Sequence, residues 1–223
     1  RLVGLTMGGS FMATAFGNTL SRFLGGGQGG TSPVSFFLLL AGLAGLVALF
    51  LFALLPKLDA AAITKAVECL RDAARAGRII LACGNGGSAS IASHLVVDML
   101  KGASYGREHR FKIIGLTDCI ETITAYGNDV NYECIFAEQL KNFARKGDVL
   151  IAISGSGNSV NVLRAMEVAR QRKLTTIGLT GFRGGKLKDL VDIAIIVPST
   201  SMQLIEDAHL VILHATFMAM CAS

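Results

Sequence analysis

Proline, cysteine and charge are all scarce in this chain of 223 residues. Three prolines exclude a collagen-like repeat. Only 17% of residues are charged, against 52% hydrophobic, which excludes a disordered tail. The five cysteines, Cys69, Cys83, Cys119, Cys134 and Cys221, show no Cys-x-x-Cys spacing. They exclude a small disulfide scaffold, suit a reducing compartment and read as structural. Acidic residues are missing altogether from residues 1–57, where Arg1, Arg22 and Lys57 are the only charges. Three of the five net positive charges therefore belong to that segment. The remainder is near neutral, so no nucleic-acid footprint is present.

The chain thus divides at about residue 57. Val34 to Leu55 is an uncharged run rich in Leu, Phe, Ala and Val. As a helix it would span about 30 Å of hydrocarbon. Leu2 to Ser21 is also uncharged, with Gly9, Ala13, Gly17 and Ser21 recurring every fourth position. Such a row of small residues lets another helix approach closely in lipid. Gly25 to Ser32 reads as a flexible turn. The placement of the three bases puts the exit on the cytoplasmic side. The runs GLTMGGSFMATAFGNTLSRFLGG and SPVSFFLLLAGLAGLVALFLFALLPKL resemble the last two membrane helices of proton-coupled oligopeptide transporters of the major facilitator superfamily. That resemblance implies a transporter remnant or one end of a fusion, attached to the inner membrane through residues 1–57. A start at Arg1 leads to the expectation that further residues precede it.

Residues 58–223 read as an α/β domain. Ala60 to Ala76 has helical periodicity and stops at Gly77. Short β-branched runs follow at Arg78–Cys83, Phe111–Gly115, Val149–Ile153, Thr175–Leu179 and Ile193–Val197. Helical stretches at Ser88–Lys101, Asn131–Ala144, Asn158–Gln171 and Met202–Ala222 separate or follow them. Alternation without hairpin signals predicts a parallel sheet covered on both faces. Ligands in such folds gather at the carboxyl ends of the strands.

Two predicted strand ends carry glycine-serine loops. One is Gly84-Asn85-Gly86-Gly87-Ser88 and the other Ser154-Gly155-Ser156-Gly157-Asn158-Ser159. Each opens a helix, where free backbone N–H groups and hydroxyls can hold a phosphate. No Gly-Lys-Ser/Thr follows either loop, so neither is a nucleotide-binding P-loop.

The segments CGNGGSASIASH, AYGNDVNYECIFAEQL, GDVLIAISGSGNSVNVL and GLTGFRGGKLKDLVDIAIIVPS resemble the sugar isomerase (SIS) domain, and within it the phosphoheptose isomerase branch. The resemblance implies a five-stranded parallel sheet between helices, a three-layer flavodoxin-like sandwich. It also implies a homotetramer that converts sedoheptulose 7-phosphate to a glycero-manno-heptose 7-phosphate in the cytoplasm. The substrate is a phosphorylated sugar of the heptose 7-phosphate class.

Aldose–ketose isomerisation through an enediol needs a base, an acid and a grip on the phosphate. The loop residues Asn85, Gly86, Gly87, Ser88, Ser154, Gly155, Ser156 and Ser159 are candidates for that grip. Asn128 and Asp129 match a substrate-binding pair of the family, with a turn or cap role for Asp129 as the rival. His94 and Asp98 stand four apart on one helix face. Glu206 and His214 stand eight apart on the last helix, about 80° around its axis. The four make a candidate ligand set for Zn²⁺, or else packed and hydrogen-bonded side chains. His209 faces elsewhere, about 140° from His214.

By resemblance Asp98 takes the place of the family's base and His214 that of its acid. Asp98 is one methylene shorter than the family's Glu. Glu206 stands where the family has Gln, and Gly155 where it commonly has Thr. An additional N-terminal helix, which the family uses at its subunit interface, is replaced by the membrane-like segment. The alternative function implied by these departures is a non-catalytic SIS module that binds a phosphosugar or a partner of the replication-initiator type.

Overall fold

The computed structural model describes residues 41–42, 45–46, 48–50 and 52–222. The chain divides into two compact units, Arg1–Pro56 and Lys57–Ser223. In the first unit the described residues up to 54 are helical, and Leu46, Leu49, Phe50 and Phe52 are exposed. The expected span Leu2–Ser21, and most of Val34–Leu55, lie outside the described residues.

The second unit opens with α1 (Ala60–Arg75), capped by the Asp59 carboxylate, which accepts from the Ala62 N–H at 3.0 Å. There follow β1 (Ile79–Gly84), α2 (Gly87–Val97), β2 (Lys112–Gly115), α3 (Ile120–Asp129) and α4 (Ile135–Phe143). The chain then runs through β3 (Val149–Ser154), α5 (Val160–Gln171), β4 (Thr175–Thr180), β5 (Ile193–Ile196) and α6 (Met202–Cys221). All four strand pairings are parallel, in the order β2-β1-β3-β4-β5. This is the expected five-stranded α/β sheet.

β-Strand alternation builds the core on both faces. Leu81, Cys83, Leu150 and Ala152 join Phe136, Leu140, Val162 and Met166 of α4 and α5 in one buried cluster. The intervening Ile80, Ala82, Ile151 and Ile153 are equally buried and serve the opposite face, where α1, α2 and α6 pack. Two aspartates fix the strand starts. Asp148, buried before β3, accepts from the N–H groups of Ile79 and Arg145. Asp192, before β5, accepts from the N–H and hydroxyl of Thr176. Backbone donors that lack a ladder partner are thereby satisfied.

Three local expectations need correction. The helix from Ser88 does not stay α-helical to Lys101: at Asp98 it loosens into a π-turn, Asp98–Gly102. Residues 120–129, read as no element, form α3. The stretch from Asn131 begins as a 3-10 turn, Tyr132–Cys134, with Asn131 as its cap. Asp129 is therefore the last residue of a helix and not a cap before Asn131.

Among the described residues one helix, α6, is long and apolar enough to cross a membrane. It buries Ile205, Ala208, His209, Ile212, Leu213, Thr216 and Met220 within this unit, as a core helix does. Arg71 and Arg107 donate to the carbonyls of Ala219, Met220 and Cys221 and so cap its end.

Candidate active site

The strand order reverses direction between β1 and β3, the switch point at whose carboxyl ends ligands of such sheets bind. Both glycine-serine loops border it. The one after β1 leads into α2 and the one after β3 into α5. Neither N-cap residue, Gly86 or Ser159, bonds a helix N–H through a side chain, although on α5 the Val162 N–H is taken by the Asn161 side chain.

Helices α2 and α6 pack against each other and carry the titratable residues. His94 Nε2 lies 2.9 Å from His214 Nε2, with the rings edge to face. The Asp98 carboxylate is 3.5 Å from His94 Nε2 and 3.9 Å from His214 Nε2. One imidazole must donate and the other accept across the short N···N contact. Asp98 sits at the first residue of the π-turn, a distortion frequent at functional sites.

His94, Asp98 and His214 can direct one donor atom each to a common point, all within 4.8 Å of one another. Two imidazoles and a carboxylate suit zinc, and three protein ligands leave a fourth position open. Bonds of 2.0–2.1 Å in a tetrahedron put neighbouring donors roughly 3.3 Å apart, close to the spacings here. The residues present therefore fit such an ion.

Glu206 does not join them. Its carboxylate lies against Gly87, so closely that any side chain at position 87 would collide with it. There it faces the N-terminus of α2, where helix N–H groups favour negative charge. Glu206 and His214 share a face of α6 but are separated by about 12 Å along its axis. Gly87 and His94 are separated by about 10 Å along α2. The helices run side by side in the same direction, so Glu206 meets Gly87 while His214 meets His94.

The other expected residues fall as follows. Ser88 is buried in the first turn of α2. Ser154 Oγ and Ser159 Oγ hydrogen-bond at 3.1 Å. Ser156 Oγ accepts from the Asn158 N–H. The space beside Gly155 is filled by the Met202 sulfur, which a Thr side chain would have to displace. Asn128 donates to Asp129 at 2.8 Å. Asp129 lines a groove of about 410 Å³ with Glu121, Thr122, Ala125, Tyr126 and Val130. His209 is fully buried and turned from the cluster, as expected, and its Nε2 donates to the Thr180 carbonyl.

Two neighbours of the site were not foreseen from sequence. Asn161 is buried and paired with Asn85, and the Tyr132 hydroxyl reaches the same Asn85. A polar residue beginning the apolar face of α5 is the signal for Asn161. Nothing in the sequence near Tyr132 points to its role.

All five cysteines are unpaired. Burial pushes the Cys83 thiol up to about 12, and burial also raises Cys69. A thiol held protonated in this way is a poor nucleophile.

The parallel sheet, with a glycine-serine loop on each side of its switch point and a His/Asp cluster on helices of one face, places the chain in the open α/β class. The chain belongs to the SIS domain family, whose model matches residues 50–181. Among its relatives, the phosphoheptose isomerase of a Nitratiruptor species is 44% identical over 152 residues, 68% of this chain and 80% of that protein. The phosphoheptose isomerase of Rhodospirillum rubrum is 42% identical over 155 residues, 70% of this chain and 82% of the relative. The solved phosphoheptose isomerase from Neisseria gonorrhoeae superposes with a TM-score of 0.75 at 30% identity, covering 83% of this chain and all of that one.

Proposed function

We propose that the chain is a phosphoheptose isomerase that interconverts sedoheptulose 7-phosphate and D-glycero-D-manno-heptose 7-phosphate. The observation that carries this reading is the meeting of Asp98 and His214, with Asp98 on the helix that the first glycine-serine loop opens. Asp98 takes the proton from C1 of the ketose while His214 protonates the oxygen on C2, giving the enediol. Return of a proton to C2 and loss of one from the C1 hydroxyl then give the aldose. Ser154, Ser156 and Ser159 hold the phosphate, with Gly155 offering its backbone N–H. Asn85, Gly86, Gly87 and Ser88 lie on the other side of the switch point, and Asn128 and Asp129 bind sugar hydroxyls. His94, Asp98 and His214 would also be able to hold Zn²⁺, which supplies a Lewis acid for the sugar carbonyl; a His214 Nε2 given to the metal has no proton to donate, so its acid role belongs to the metal-free site.

The working form is a homo-oligomer, a tetramer by family resemblance. The absence of any buried residue on α3, and the exposed Ile120, Val130 and Tyr132 around it, support a covered surface there. Free thiols support a reducing compartment, the cytoplasm, for 58–223. The charge pattern of 1–57 supports attachment to a membrane.

The test is a coupled assay of the purified chain with sedoheptulose 7-phosphate, with and without added Zn²⁺. No turnover by the folded, assembled protein rejects the reading.

Glu206 gives this site a second expected behaviour. A carboxylate at the start of α2 repels a phosphorylated substrate at the same switch point. Glu206→Gln is expected to lower KM by roughly threefold to tenfold and to weaken its salt dependence. KM measured between low and moderate salt checks this, and an unchanged or higher KM contradicts it.

A further inference from the structure

The hydrogen bonds around Asn85 fix what its side chain can offer a ligand. Asn161, buried on the first turn of α5, accepts the Val162 N–H through its own Oδ1 at 3.0 Å. A backbone N–H only donates, so that end of the Asn161 amide is the oxygen. Its Nδ2 then donates to Asn85 Oδ1 at 2.8 Å. Asn85 Nδ2 donates back to Asn161 Oδ1, also at 2.8 Å. The Tyr132 hydroxyl adds a second donor to Asn85 Oδ1 at 3.0 Å. Both acceptor positions of the Asn85 oxygen are now used, and so is one of its two N–H groups.

We infer that Asn161 and Tyr132 are positioning residues that turn Asn85 into a donor-only contact for an acceptor oxygen of the phosphosugar. The inference rests on the isomerase reading above for the identity of that ligand. Asn85 follows the last residue of β1 and stands between two glycines, so its backbone alone does not hold the amide in one orientation. Asn161 comes from the helix after β3, across the switch point from Asn85, and Tyr132 from the 3-10 turn in the crossover between β2 and β3. They set the amide before substrate arrives, which removes the cost of orienting it on binding. They also exclude the flipped amide, whose oxygen would face the substrate oxygens.

Asn161→Asp tests this. It keeps the size of the side chain and the acceptor for Val162, and replaces the donor facing Asn85 by a second acceptor. Asn85 must then turn its N–H groups toward Asp and lose the outward one. Both kcat/KM and the Kd for sedoheptulose 7-phosphate by calorimetry are measured for the wild type, N161D, N85A and the double variant. N161D is expected to weaken binding and lower kcat/KM by about tenfold, and to cost nothing further on the N85A background. Tyr132→Phe removes one surface hydroxyl without disturbing the fold. It is expected to cost about threefold, again only when Asn85 is present.

Equal losses on both backgrounds, or wild-type binding by both variants, overturn the clamp. If N161D fails to fold, the Y132F cycle decides alone. A wild type that binds the sugar without converting it rejects the isomerase reading and leaves the binding cycle to judge the clamp. A wild type that does not bind it overturns both.

Discussion

Replacing His214 by glutamine is expected to lower kcat by roughly 10²- to 10⁴-fold, the range for loss of a positioned general acid. The fold should not suffer. His214 is partly exposed, and its side-chain partners are His94 and Asp98 at the site. Its removal creates no cavity among the buried residues of α6, which lie on the other faces of the helix. Glutamine can still donate to His94 but cannot exchange a proton near neutral pH. Loss of turnover with an unchanged Tm and an unchanged Kd for the phosphosugar is therefore the expected pattern. A variant that keeps more than a tenth of wild-type kcat would remove His214 from the chemistry. A variant that loses kcat and Tm together would show that the residue is structural.

The second large effect concerns acid stability and comes from His209. Burial lowers its pKa from 6.5 to about 4, opposed in part by the hydrogen bond to Thr180. Its Nδ1 is buried without a hydrogen-bond partner, so a proton added there would have nothing to donate to. The unfolded chain takes up this proton near pH 6.5, and the native protein only near pH 4. Between those values the unfolded state binds more protons, so stability rises with pH. The contribution is full above about pH 6.5 and is lost as pH falls toward 4, reaching an upper limit on the order of 3 kcal/mol.

His209→Gln keeps a donor for Thr180 and removes the titration. Denaturant midpoints of both proteins should converge between about pH 7 and about pH 4.5, because the wild type loses stability faster. Other carboxylates titrate in both proteins alike, so the difference between the profiles isolates His209. Parallel profiles would refute the assignment.

The strands and their loops could be read from sequence because their signals are local. Runs such as Val149 to Ile153 are apolar throughout, and the strand they form is buried along its whole length. α3 carries only a short apolar row, Ile120, Ile123 and Tyr126, none of it fully buried, which is too weak a pattern to read from sequence. The grouping of His94, Asp98 and His214 was legible from helical spacing on two helices. Glu206 was misplaced because an angle around a helix axis says nothing about height along it. The roles of Asn161 and Tyr132 depend on which loops the sheet order brings together, and no local pattern encodes that order.

The pairing of β1 with β3 also sets when the site comes into being. Ile80 pairs with Val149 and Gly84 with Ile153, partners far apart along the chain. Closing so long a loop is entropically costly, and such contacts slow folding. The β1–β2 and β4–β5 ladders join strands nearer in sequence and can form first. Until β1 and β3 meet there is no switch point, the two serine loops are apart, and Asn85 has no Asn161. A partly folded chain therefore presents no phosphosugar site. Ligand can bind only the completed sheet, and by mass action its presence holds the chain in that folded state.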